Sequence, residues 1–224
     1  MLSNIVEEAS AAGPKAILYA KGAVQDPTIV GDCPFTHKAR LGLAGQGLNN
    51  YSLKIEDMSN KSADLLRANP KGTVPVWVCP SGSGSTTVIA DSEDILQQLC
   101  PDVVGRTTAQ EKEIIDKELK AFQSAWFTTM KTATDPSTLI EAVDALDASL
   151  ASLPSKKDGR RLTELEAKLC PLLYQYSVAG VHYRKLPSLP TKCAEMLRSI
   201  EGTPEWKATV YSPESMLAGW KKFF

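Results

Sequence analysis

Short apolar runs and helix-like patterns alternate along the first hundred residues. Strands are predicted where apolar residues run or alternate between turn residues, at 16–20, 51–55, 72–78 and 86–90. Helices are predicted from Pro34 to Gly45 or Gly47, over residues 63–68, and from Asp91 to about Leu99. Residues 81–85, Ser-Gly-Ser-Gly-Ser, read as a flexible hairpin loop. This order predicts a four-strand mixed sheet with helices.

The strand signals stop at Thr108. Helical spacing covers residues 109–130 and a stretch that begins at Asp135-Pro136, and Thr163 with Glu166 forms a capping box before another helix. Shorter helices are predicted over residues 191–200 and 204–208. We therefore predict two domains, an α/β domain over residues 1–101 and an all-helical domain over residues 108–224.

Composition indicates the cellular compartment and bears on which classes of partner are favoured. The 224 residues include 25 basic and 26 acidic ones, so nothing favours nucleic acid or an anionic membrane as a partner. No apolar run is long enough to span a bilayer, and residues 1–13 lack the features of secretory and transit peptides. Five widely spaced cysteines and only two histidines indicate a reducing compartment and no metal site. We expect a cytoplasmic protein, or a chloroplast protein already trimmed of its transit peptide.

Cys33 is the first candidate for chemistry. Pro34 suits the first position of a helix, which would put the Cys33 sulfur at the helix N-terminus, where backbone N–H groups and the helix dipole favour a thiolate. A small buried cysteine would explain the motif about as well. Thr36 stands where a dithiol enzyme has its second cysteine, so disulfide chemistry would need a small thiol such as glutathione.

Two other stretches fit a peptide ligand. A cis bond before Pro75 would turn the Val74 backbone outward to pair with an extended ligand, although a strand-start proline needs no ligand. The helix start at Asp91 and Ser92 could hold a ligand carboxylate and an ammonium group, although an ordinary helix cap explains both residues. We interpret the four cysteines other than Cys33 as structural.

The order of elements is βαβ, then ββα, then all-α, with a Cys-Pro helix start, a Val-Pro strand start and an Asp-Ser helix start. This combination resembles the glutathione transferase superfamily over nearly the whole chain. That resemblance implies an N-terminal thioredoxin-like domain of glutaredoxin type and a C-terminal all-helical domain of glutathione-transferase type. A finer resemblance to the plant-type dehydroascorbate reductase class rests on Lys21-Gly22-Ala23-Val24, Gly31-Asp32-Cys33-Pro34-Phe35, Val74-Pro75-Val76 and, more weakly, Pro171-Leu172-Leu173-Tyr174. The chloride intracellular channel proteins share part of this pattern.

The resemblance implies a role for each matching residue. Cys33 would be the redox nucleophile, with Lys21 and Asp32 contacting dehydroascorbate. The glutathione-binding residues would be Phe35, Lys61, Val74, Pro75, Asp91 and Ser92. Glutathione would be a co-substrate, with no tightly bound cofactor, and the protein would be a plant or algal monomer whose partners are these two small molecules. The chain departs from the class at Thr36, usually Ser, at Thr73, often Lys, and in the basic loop 154–161.

The implied reaction is the glutathione-dependent reduction of dehydroascorbate through a Cys33–glutathione mixed disulfide, with ping-pong kinetics and with Thr36 donating a hydrogen bond to the thiolate. One alternative is a general glutathione transferase or thiol transferase that uses the same thiol. Another is a channel-type, membrane-inserting relative without reductase activity, which the absence of a long apolar run disfavours.

Overall fold

A four-strand mixed sheet forms the centre of the N-terminal half. Its strands are β1 (Ala16–Lys21), β2 (Tyr51–Glu56), β3 (Val76–Pro80) and β4 (Thr86–Ile89). The strand order is β2-β1-β3-β4, with β2 parallel to β1, and β3 antiparallel to both β1 and β4. Leu18 of β1 faces Leu53 of β2 and Trp77 of β3 in the register. The predicted mixed sheet is confirmed.

The computed structural model describes residues 15–80, 85–132, 134–154 and 161–224. The N-terminal segment 1–13 therefore lies outside the described residues. So do most of the predicted hairpin loop 81–85 and most of the basic loop 154–161.

Four helices accompany the sheet. They are α1 (Pro34–Gln46), α2 (Ala63–Ala68), α3 (Ser92–Leu99) and α4 (Pro101–Gly105). The first three agree with the predicted positions. The fourth is too short to show a hydrophobic period, and it occupies the gap between the two predicted domains, whose boundaries stay a prediction.

The rest of the described chain is helical. Its helices are α5 (Ala109–Ile114), α6 (Lys120–Lys131), α7 (Ser137–Ala151), α8 (Glu164–Gln175), α9 (Val181–Arg184), α10 (Thr191–Glu201), α11 (Pro204–Thr209) and α12 (Pro213–Trp220). A π-helical turn, Ile115–Leu119, joins α5 to α6, so the predicted long helix over residues 109–130 is continuous but not uniformly α-helical. A second π-helical turn, Tyr176–Gly180, joins α8 to α9. The predicted capping box at Thr163 and Glu166 is present at the start of α8.

Helix α1 joins the two halves. Ala39 and Leu43 are fully buried on its predicted inner face, and it packs against α3, α8 and α11. The Arg40 guanidinium donates to the carbonyl oxygens of Thr209, at 2.7 Å, and Ala208, at 2.8 Å. These carbonyls end α11 and lack partners within their own helix, so Arg40 caps that helix from α1.

One buried apolar core continues across both halves. It includes Leu18 and Trp77 from the sheet together with Trp126, Leu173 and Trp206 from the helices. Because burial of apolar surface is the main favourable contribution to folding, this shared core fixes how the halves sit around α1. None of the helices in the described ranges combines the length and the apolar character needed to cross a bilayer.

His37 is buried inside this junction. Its ring lies 4.5 Å from the Trp206 ring and 5.4 Å from the Tyr211 ring, measured between centroids. Both ring nitrogens lack a hydrogen-bond partner in the part of the chain that the structure describes. Burial and the nearby Arg40 charge lower the pKa of His37 to about 3, so the native imidazole is neutral.

His37 should make the protein less stable in mild acid. In the unfolded chain His37 takes up a proton near its ordinary pKa of 6.5, whereas in the native state it does so only near pH 3. The free energy of unfolding therefore decreases as the pH is lowered through that window. We expect a loss of about 2 kcal/mol between pH 7.5 and pH 5, at a limiting slope of about 1.4 kcal/mol per pH unit. Urea unfolding of wild type and of His37→Phe at both pH values measures it. The variant should lack this increment, and equal pH slopes for both proteins would contradict the assignment.

Candidate active site

The loop between β1 and α1 returns the chain to the end of β1. The Gly31 N–H donates to the carbonyl oxygen of Lys21 at 2.8 Å, and Gly22 pairs with Val30 in a single β-bridge. This return places Asp32, the residue before Cys33, beside Lys21, although the two lie eleven positions apart in sequence. The first part of the site is therefore set by backbone hydrogen bonds.

Cys33 is the N-cap residue of α1, as the Cys-Pro motif predicts. Its Sγ accepts a hydrogen bond from the backbone N–H of Thr36 at 3.4 Å, and Pro34 occupies the first helical position. Thr36 therefore donates to the sulfur as predicted, through its backbone N–H, as at other N-caps. Its hydroxyl is buried without a partner among the described residues.

Lys21 and Asp32 form an ion pair next to Cys33. The Lys21 Nζ lies 2.5 Å from Asp32 Oδ1, with side-chain exposures of 20% and 7%. Gly219 of α12 packs on the Asp32 carboxylate so closely that a Cβ atom there would come within 2.2 Å of it. The two residues predicted to contact dehydroascorbate are therefore brought together, with α12 covering the carboxylate.

A cleft of about 660 Å³ opens between the two halves. One wall comes from the start of α1, from residues 73–75 and from the start of α3, and the other from the helices of the second half. The lining residues are Pro34, Phe35, Lys38, Thr73, Val74, Pro75, Asp91, Ser92, Glu93, Ile115, Asp116, Leu119, Lys120, Gln123, Lys168 and Leu172. Its volume falls in the usual range of small-molecule sites.

Five of the six residues predicted to bind glutathione line this cleft: Phe35, Val74, Pro75, Asp91 and Ser92. Lys61 does not line it. The end of the Lys61 side chain instead lies beside Gly72, where a Cβ atom would come within 3.0 Å of Nζ. Cys33 is half-buried and is not a lining residue itself, but Pro34 and Phe35 continue from it into the cleft.

The segment that presents Val74 is held by a side chain. Asn69 donates from Nδ2 to the carbonyl oxygen of Thr73 at 3.0 Å and to its hydroxyl at 2.9 Å. Gly72 adopts a φ of +61°, a value that favours glycine, and the Val74–Pro75 peptide is cis. Of the two interpretations of this segment, the structure has the cis bond.

A network of charged side chains lies along the cleft, with its two lysines largely buried and Glu93 partly exposed. The Glu93 carboxylate accepts hydrogen bonds from Lys38 of α1 at 3.1 Å and from Lys168 of α8 at 2.5 Å, and Lys168 also lies 2.6 Å from Glu164. Burial acts to raise the pKa of Glu93, but the two lysines prevail and hold it below its ordinary value. These contacts connect three helices of the two halves, and the sequence analysis did not anticipate them.

Other unanticipated residues lie behind Cys33. Gln175, at the end of α8, donates from Nε2 to the carbonyl oxygen of Asp32 at 2.5 Å. Tyr211, whose hydroxyl accepts a hydrogen bond from Gln175, is buried next to His37. No sequence signal identifies these residues, because they lie about 140 to 180 positions from Cys33 and carry no motif.

Comparisons with known proteins agree with this geometry. The family model described as the N-terminal domain of glutathione S-transferase matches residues 32–100. The probable cytosolic glutathione S-transferase DHAR1 of Oryza sativa subsp. japonica is 27% identical over 207 residues, which cover 89% of this chain and 94% of the relative. Glutathione S-transferase DHAR2 of Arabidopsis thaliana is 28% identical over 212 residues, 91% of this chain and 96% of the relative.

The chain has the glutathione transferase fold. The crystal structure of Chlamydomonas reinhardtii dehydroascorbate reductase superposes with a TM-score of 0.74 at 26% identity, and covers 93% of this chain and 98% of that one. The predicted fold class and the resemblance to dehydroascorbate reductases are confirmed.

Cys33 should be the first cysteine to react with an alkylating reagent. Cys79, Cys100, Cys170 and Cys193 are all buried, and burial raises the pKa of Cys100 to about 12. Native protein treated briefly with iodoacetamide at about pH 7 should be labelled at Cys33 alone, as read by peptide mass spectrometry. Cys33→Ser should abolish the fast phase while Cys79→Ser retains it. A fast phase that maps to any buried cysteine would show that the site is misassigned.

Proposed function

We propose that this protein reduces dehydroascorbate to ascorbate with glutathione as the electron donor. The observation that carries the proposal is the position of the half-buried Cys33 thiol. It caps α1 between an ion pair suited to a polar, oxidised ring and the start of a cleft suited to a short peptide. The similarity to dehydroascorbate reductases supports the choice of electrophile.

In the first half-reaction, the Cys33 thiolate attacks an electrophilic carbonyl carbon of dehydroascorbate. Lys21 and Asp32 orient the ring, and the Lys21 ammonium stabilises negative charge that develops on its oxygens. Water then attacks the sulfur, and the carbon–sulfur bond breaks with its electron pair left on the ring. Ascorbate departs, and Cys33 remains as a sulfenic acid, oxidised by two electrons.

In the second half-reaction, one glutathione condenses with the sulfenic acid, releasing water and forming a mixed disulfide with Cys33. A second glutathione attacks that disulfide, and glutathione disulfide leaves as the Cys33 thiolate is restored. Two glutathione molecules thus supply the two electrons that ascorbate carries away. Because Thr36 replaces a resolving cysteine, the second thiol must come from solution, and the kinetics should be ping-pong.

We propose roles along the cleft for the tripeptide. The Val74 backbone would pair with the cysteinyl portion, and Asp91 with Ser92 would bind the γ-glutamyl group at the start of α3. Phe35 and Pro75 would supply apolar walls, whereas Lys61 would have to swing from Gly72 to reach the ligand. We further propose that the protein acts as a cytoplasmic monomer.

A coupled assay tests the function. Ascorbate formation, followed by its ultraviolet absorbance, should require both the protein and glutathione, and Cys33→Ser should abolish it. Glutathione-dependent reduction of hydroxyethyl disulfide, measured in parallel, separates this activity from that of a general thiol transferase. Faster turnover of the disulfide than of dehydroascorbate, or an active Cys33→Ser variant, would overturn the proposal.

Replacing Lys21 should weaken the binding of dehydroascorbate more than the binding of glutathione. We expect Lys21→Ala to raise KM for dehydroascorbate about tenfold, the effect of one charge-assisted hydrogen bond, with KM for glutathione changing less than about twofold. Steady-state kinetics with each substrate varied in turn measures both constants. Lys54→Ala is the matched control, because it removes an exposed lysine of β2, the strand next to β1, that pairs with Asp64 of α2. Equal increases in the two constants would argue against the assignment.

A substitution at Asp91 tests the proposed binding of the γ-glutamyl group of glutathione. Its carboxylate accepts from the Glu93 N–H at 2.7 Å, so Asp91→Asn keeps a good N-cap and removes only the charge. We expect KM for glutathione to rise about fivefold to tenfold, because the γ-glutamyl ammonium loses its counter-charge, while KM for dehydroascorbate stays constant. Asp135→Asn is the control, since Asp135 accepts from Ser137 N–H at the same 2.7 Å at another helix start. Unchanged saturation by glutathione would rule out this role.

A further inference from the structure

The peptide that precedes Cys33 is held by a side chain from the helical half. Gln175 donates from Nε2 to the carbonyl oxygen of Asp32 at 2.5 Å, across 143 positions of sequence. Its side chain is fully buried at the end of α8, where water cannot replace a lost partner. This carbonyl belongs to the peptide whose nitrogen is that of Cys33, so its orientation fixes the Cys33 Cα.

The Gln175 amide is itself fixed in one orientation. Trp126 donates from Nε1 to its Oε1 at 3.2 Å, and its Nε2 also donates to the Tyr211 hydroxyl oxygen at 3.1 Å. Turning the amide over would set Oε1 against the Asp32 carbonyl oxygen and Nε2 against the Trp126 donor. Both amide hydrogens and the amide oxygen therefore have hydrogen-bond partners, and these three bonds hold the Gln175 amide in one orientation.

The position of Tyr211 is fixed as well. Tyr174 of α8 donates from its hydroxyl to the backbone carbonyl oxygen of Tyr211 at 3.1 Å, and the Tyr211 ring packs against His37, one helical turn beyond Cys33. Gln175 and Tyr211 thus approach the start of α1 from two elements of the helical half. Among the described residues, the ionisable groups at this junction are Lys21, paired with Asp32, and Tyr211, together with His37 against its ring.

We propose that Gln175 is a positioning residue for the Cys33 nucleophile, acting through the Asp32–Cys33 peptide. Its N–H donation withdraws electron density from a carbonyl oxygen next to the nucleophile, where free lone pairs would oppose a thiolate. It also fixes the plane from which the Cys33 side chain reaches the Thr36 N–H. The inference rests on the proposed function for its role in turnover, but its effect on Cys33 reactivity stands apart from any substrate.

The test follows the pH dependence of Cys33 alkylation. Gln175→Met preserves side-chain length and removes all three hydrogen bonds, so we expect Cys33 to react roughly threefold to tenfold more slowly at about pH 6.5. The rate should recover as pH rises, and kcat should fall with KM for glutathione nearly constant. Tyr176→Phe is the control. It removes a buried hydroxyl that has no partner among the described residues, next to Gln175 in sequence, and should leave the profile unchanged.

Tyr211→Phe provides a second variant that retains the ring and the Gln175–Asp32 bond. We expect a smaller shift of the alkylation profile in the same direction. The double variant should show no more than the Gln175→Met effect, since both substitutions disrupt the same hydrogen-bond network. A wild-type alkylation profile in either single variant would overturn the proposal, whatever the reductase assay gives. Additive effects in the double variant would also contradict it. If dehydroascorbate reduction is absent but the alkylation profile shifts, the proposed function fails and the positioning role stands.

Discussion

The position of Cys33 at the first turn of α1 is the constraint on which the rest of the site depends. A helix N-terminus offers backbone N–H groups that no intrahelical carbonyl can satisfy, and here Thr36 directs one of them at Sγ. The helix that carries this contact is fixed at two further points. Gly47 ends the helix with a φ of +82°, and Arg40 anchors its middle to the last carbonyls of α11. The position of the Cys33 sulfur thus depends on how the two halves pack around α1.

Charge is distributed differently on the two sides of Cys33. On one side the Lys21–Asp32 pair is compact and largely buried, with Gly219 packed on the carboxylate and the Lys21 side chain the more exposed of the two. On the other side the cleft carries Glu93 between two lysines, an arrangement that joins the halves by charge as well as by apolar contact. Glu93 is partly exposed but is shared by both lysines, so a change at any one of these residues alters the contacts of the others.

Local signals account for what the sequence predicts well. The Cys33–Pro34 start of α1 and the Thr163–Glu166 capping box are each written within four residues, and both appear as expected. The pairing of Lys21 with Asp32 depends on the loop returning to β1, and only the resemblance to a family suggested that the two residues act together. Composition and spacing alone do not bring them into contact.

Long-range geometry accounts for what the sequence analysis missed. Gln175 is one of several buried polar residues of α8, and nothing in its local sequence sets it apart. Gly219 lies in α12, which was not predicted. Both residues matter to the site only because they contact Asp32. Lys61 marks the opposite case, because the resemblance implies a role in glutathione binding while its side chain rests on Gly72 outside the cleft. Its role stays a prediction.

The central claim is that one thiol carries the redox chemistry with glutathione as its partner, and the mixed disulfide tests this most directly. The protein is oxidised mildly, mixed with one equivalent of glutathione, quenched with acid and mapped by peptide mass spectrometry under non-reducing conditions. The account predicts one adduct, 1:1, on the peptide that contains Cys33, with the other four cysteines as thiols, which matches their burial. An adduct on another cysteine, or a disulfide between Cys33 and a second cysteine of the chain, would contradict it.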